Sequence, residues 1–91
     1  MPLPADDNAM FERFTLRMAR VVSRLAKHHT QAEVAKLLDL SPRIVAGEVL
    51  GAETITGCAN NGELARWWLD HGPALVRSWI DDLGIDPRDV A

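Results

Sequence analysis

Residues 30–50 read TQAEVAKLLDLSPRIVAGEVL, and the fold turns on them. Thr30 with Glu33 three residues on is a capping box, which opens a helix by satisfying two orphan backbone donors. Val34, Leu37 and Leu38 then recur at helical spacing, so one face is expected to be buried. Asp39-Leu40 interrupts the run. Ser41-Pro42 restarts it, with a hydroxyl N-cap and a proline at the first helical position, where the missing N–H costs nothing. Ile44, Val45 and Val49 supply the apolar face of a second helix. The stretch is two short helices joined by a tight turn.

Upstream, residues 9–28 have the spacing of one long amphipathic helix, with Asp7 or Asn8 placed to cap it. Phe11, Phe14, Met18, Val21, Val22 and Leu25 fall on one side. Arg13, Arg17, Arg20, Arg24 and Lys27 fall on the other, within a narrow arc. Such a stripe serves either as a solvated face or as a ridge against phosphates. Residues 1–7 hold two prolines and two acids and read as a disordered tail, leaving residues 8–91 as a single domain.

Downstream, residues 51–62 (GAETITGCANNG) read as a connector, with room for a short strand at 54–56. Residues 63–71 predict a short helix burying Leu64, Trp67 and Trp68. Gly72-Pro73 ends it and starts another over 74–83, whose stripe is Leu75, Val76, Trp79, Ile80 and Leu83. Gly84 is a C-cap, and Asp86-Pro87-Arg88-Asp89 opens a final turn. The three tryptophans fit a core, or a dimer contact around Trp67, Trp68, Leu75 and Trp79.

The totals restrict function. Hydrophobic residues are 47% and charged residues 25%, an ordinary balance for a globular chain. No apolar run of transmembrane length and no signal peptide occurs, so a cytoplasmic protein with no membrane partner is expected. Cys58 stands alone, so no internal disulfide forms. His28-His29 lack further ligands for a metal. No nucleophile, base and acid are arranged for catalysis, so neither an enzyme nor a cofactor is expected. The net charge of −3 splits unevenly: residues 1–50 sum to +1 and residues 51–91 to −4. Any nucleic-acid face belongs in the first half.

The pattern Gln31-x-Glu33-Val34-Ala35-x-Leu37-Leu38-x-Leu40-Ser41 resembles the helix-turn-helix of bacterial and phage regulators. Ala35 matches the small residue where the two helices cross. Val34, Leu38, Leu40 and Val45 match the apolar positions. Asp39 stands where the turn usually has glycine, and Glu48 where a late apolar residue is usual. The ending Leu83-Gly84-Ile85-Asp86-Pro87-Arg88-Asp89-Val90 is similar to the close of Cro- and repressor-like domains.

The resemblance covers about half the chain. It implies an all-α, compact bundle of about five helices containing a helix-turn-helix. It implies a transcription regulator that binds duplex DNA as a homodimer, with the helix over 42–50 in the major groove. Ser41, Arg43, Ala46 and Gly47 would face the DNA, and of these only Arg43 suits a base edge, guanine O6 and N7. Gln31 and Ser41 would touch phosphate, as would the stripe Arg13, Arg17, Arg20, Arg24 and Lys27. The competing expectation uses the same fold as a module that binds and modulates another protein, since Ala46 and Gly47 suit close helix packing.

Overall fold

The computed structural model describes residues 12–90. The expected tail, the caps Asp7 and Asn8, and the helix start at residues 9–11 lie outside them. Among the described residues there are four α-helices and one short 3-10 turn: α1 (Leu16–Leu25), α2 (Gln31–Leu38), α3 (Pro42–Thr56), α4 (Asn61–Leu83) and the turn Pro87–Asp89. No strand occurs among them, so the piece expected at 54–56 is helix instead. Among the described residues the fold is all-α, with four helices where about five were expected.

α1 is the central element and packs against the other three. Ala19, Val21 and Val22 are wholly buried, because neighbours close on α1 from several sides. The long helix expected over 9–28 is broken at Phe14–Thr15. The break has two physical causes. The Thr15 hydroxyl accepts the Met18 N–H at 3.1 Å, a cap that starts α1 afresh. Phe14, 2% exposed, leaves the helix to stack on Trp67 and Trp68, with centroids at 5.2 and 6.2 Å. At the other end His28 takes the left-handed conformation (φ 72°), and the His29 N–H returns to the Arg24 carbonyl at 3.2 Å.

α2 begins with the capping box. The Glu33 carboxylate accepts the Thr30 N–H at 2.8 Å, and the Thr30 hydroxyl accepts the Glu33 N–H at 3.1 Å. Its core side is Val34 and Ala35, with Leu38 half-buried; Leu37, expected inside, is 57% exposed. The Thr30 N–H bond, aided by His29 and Lys36, holds the Glu33 carboxyl below its ordinary value. A depressed carboxylate contributes above its unfolded value and stops contributing as pH falls through its lower folded value. Glu33→Gln keeps a cap acceptor that does not titrate. Its melting temperature should therefore fall less steeply than the wild type's on acidification, and identical slopes would refute this role.

α3 is longer than expected. Residues 51–56 continue it, because Val45, Val49 and Ala52 form one buried stripe running through Gly51. Gly51 fits there because a Cβ would come 2.8 Å from the Met18 methyl. Gly57 (φ 76°) ends the helix, and the connector shrinks to the few residues before Asn60, which caps α4. α4 is a single helix of 23 residues, not two. Proline inside a helix forfeits one hydrogen bond. At Pro73 the deprived acceptor is the Leu69 carbonyl, and both residues lie on the exposed side, where water can accept the role. Leu64, Trp68, Gly72 and Leu75 bury one face continuously across that point.

Candidate nucleic-acid interface

The site is built on α2, the turn Asp39–Leu40–Ser41 and α3. Asp39 closes α2 in the left-handed region (φ 54°, ψ 47°), and the Leu40 N–H returns to the Ala35 carbonyl at 2.9 Å. Asp is among the few non-glycine residues that reach this conformation at small cost. The Ser41 hydroxyl accepts the Ile44 N–H at 3.1 Å, and Pro42 occupies the first turn. Together the two caps fix where α3 begins and which way it turns its faces.

With Val45, Val49 and Ala52 inward, the opposite face of α3 carries Arg43, Ala46, Gly47, Leu50 and Thr54, all exposed. Arg43 has no ion pair or hydrogen bond among the described residues. A Cβ at Gly47 would meet nothing within 4 Å, so bare backbone faces outward there. Leu50 is 64% exposed. Thr54 spends its hydroxyl on the Leu50 carbonyl at 2.9 Å. The face therefore offers one long donor, Arg43, set beside an apolar and small-residue surface.

No known protein family, curated protein or solved structure matches the chain. Its chemistry has to be read from its own side chains.

Glu48, at the position expected to be apolar, accepts from Arg17 of α1 at 3.2 Å, and its side chain is only 15% exposed. Its stem thus packs as an apolar residue would, and its charge is answered. Arg24 turns its guanidinium back onto the Arg20 carbonyl at 2.9 Å; partial burial, then the Arg20 charge, lowers its pKa. Arg20 is exposed and its side chain is unpaired among the described residues. Arg13 precedes the break at Phe14, and Lys27 follows α1. The five bases expected as one ridge are therefore three on α1 and two beyond its ends.

Gln31, expected on phosphate, donates to Asn61 Oδ1 at 3.4 Å. That contact brings the N-termini of α2 and α4 together. Glu33 and Glu63 already serve those two ends, so their positive potential is taken up within the chain. Of the residues expected at a dimer contact, Leu75 is 0% and Trp68 9% exposed, which makes both core. Trp67 and Trp79 are half-buried, with Trp67 against His71 at 5.1 Å. Leu50 and Thr54 were missed as outward residues of α3. Their spacing from Arg43 and Gly47 is helical throughout, but the three glycines of residues 51–62 suggested a loop. Among the described residues no three His, Cys, Asp or Glu side chains gather as a metal site, and no helix is long and apolar enough to cross a membrane.

Proposed function

We propose that the chain is a small, non-enzymatic DNA-binding regulator of the helix-turn-helix type, acting in the cytoplasm as a homodimer. α3 enters the major groove and Arg43 reads a base. The observation that supports this most is the left-handed Asp39 between two capped helices. It meets the requirement that glycine usually serves in this motif, while the Arg17–Glu48 pair accommodates the other departure from it. Arg43 then stands free at the start of α3, where a recognition helix presents its base contacts.

The test is fluorescence anisotropy with random duplex DNA at low and high salt, followed by selection of a preferred site. Arg43→Ala should cost about 1–3 kcal/mol on that site and leave non-specific binding unchanged. Arg20→Ala should weaken every sequence alike and reduce the salt slope by about one. Arg17→Ala should lose more than Arg20→Ala, because it also leaves the Glu48 carboxylate facing phosphate. Absent or salt-insensitive binding by the wild type would overturn the reading.

The dimer has a candidate surface. Phe14, Leu16, Trp79, Leu83 and Ile85 line an open groove of about 670 Å³ at the C-terminal end of α4, and Leu83 is 70% exposed. Leu83→Glu should give the monomer mass in analytical ultracentrifugation at concentrations where the wild type is dimeric. A dimer that persists would place the contact elsewhere. One observation favours a second reading: the outward face of α3 is mostly apolar, with the large hydrophobic Leu50 64% exposed on it. A protein-interaction module would bind through that face, and Leu50→Glu would then abolish partner binding with no DNA affinity to lose.

A further inference from the structure

A second cleft lies away from the hairpin. Its volume is about 540 Å³, within the range of small-molecule sites. Three elements meet around it. α1 and the turn after it supply Ser23 and Lys27, α4 supplies Trp68, Gly72, Val76 and Arg77, and the C-terminal turn region supplies Pro87 and Val90. The floor depends on Gly72. A Cβ there would come 2.6 Å from the Trp68 indole, so the ring lies directly over the glycine and shows the cleft an apolar wall. Ser23 is 3% exposed and already donates to the Arg20 carbonyl at 3.2 Å, so it asks for no ligand.

Among the described residues, the charges lining this cleft have one sign. Lys27 and Arg77 line it from two different elements, and among the described residues no acid does. Neither has an ion pair or hydrogen bond among the described residues. This is the reverse of the surrounding balance, since residues 51–91 sum to −4 and Arg77 is one of only three bases there. An open apolar cleft with two exposed cations unpaired among the described residues complements one chemical class, an apolar body ending in a single acid group. A neutral oil would leave both cations unpaired, and an amphiphilic cation would be repelled.

We propose that this cleft binds an amphiphilic carboxylate, its apolar body against Trp68, Val76 and Val90 and its carboxylate between Lys27 and Arg77. The proposal does not rest on DNA binding.

Decanoate, decanol and decyltrimethylammonium serve as probes, each below its micelle concentration, with the full chain in calorimetry and tryptophan fluorescence. Decanoate should bind saturably with one site per chain and weaken as salt rises. Decanol and the cation should bind weakly or not at all. The double variant Lys27→Gln, Arg77→Gln changes two exposed side chains and should remain folded by circular dichroism. It should lose about tenfold in decanoate affinity, as two partly exposed charge contacts would, and leave decanol unchanged. Leu83→Glu, in the other groove, should bind decanoate as the wild type does. Wild-type protein that shows no saturable decanoate binding overturns the proposal. So does equal affinity for decanol, or decanoate binding that survives the double substitution. A chain that binds decanoate but no DNA would sink the regulator and keep the cleft.

Discussion

Leu75→Ala should destabilise the domain by about 2–5 kcal/mol, the usual cost of cutting a fully buried leucine back to a methyl. Leu75 is 0% exposed on the inner face of α4, so no packing partner is optional. A domain of this size holds on the order of 5–14 kcal/mol in all. The variant should therefore melt far below the wild type in thermal or urea unfolding. The measurement also separates core from interface. If Leu75 acts within one chain, the loss is the same at every protein concentration. A residue in a dimer contact would show a loss that grows on dilution. A concentration-dependent loss would mean that α4 packs differently in solution.

Trp68→Ala should cost about 3–5 kcal/mol. Its indole covers Gly72 and stacks on Phe14, and only 9% of the residue is exposed. Trp67→Ala should cost less, because Trp67 is half-buried and keeps one edge in water. The adjacent pair thus offers an internal control: two removals of the same side chain, one position apart, with unequal losses in urea unfolding. Equal losses would place both rings in comparable surroundings and contradict the packing described for α4. Gly72→Ala should reproduce part of the Trp68 loss, since the new methyl displaces the ring that Trp68→Ala removes.

The hairpin was legible in the sequence because its signals are local. Thr30 with Glu33, and Ser41 with Pro42, announce helix starts through groups within three residues of each other, and the structure carries both caps. Period alone gave the burial of Val34, Val45 and Val49, but it also placed Leu37 and Ile44 inside, and both are exposed. What escaped depended on partners far along the chain. The break before Thr15 exists because Phe14 has Trp67 and Trp68 to join. Residues 51–56 are helical because α3 packs against α1 and α4 and wholly buries Ala52, which outweighs the glycines. Gly72-Pro73 has the composition of a stop, yet the helix persists because burial on both sides of it outweighs one lost hydrogen bond. At the candidate site, Arg43 was visible as the one long donor among the residues expected to face outward on the second helix of the hairpin. Nothing local could reveal that Gln31 turns to Asn61 or that Arg17 answers Glu48, contacts some thirty residues apart.

The continuity of α4 through Pro73 has a mechanical consequence. Its 23 residues make a rod roughly 34 Å long at 1.5 Å per residue. One end is tied to α2 through Gln31 and Asn61, and the other borders the groove that holds Leu83. Two jointed helices would let those ends swing independently; a single rod transmits position from one to the other. Two chains joined at the Leu83 end would then carry their α3 helices at a set separation, like the points of a locked pair of dividers. If the proposed regulator reading holds, such a gauge would accept paired half-sites at one helical phase of the duplex and reject the same half-sites moved by half a turn.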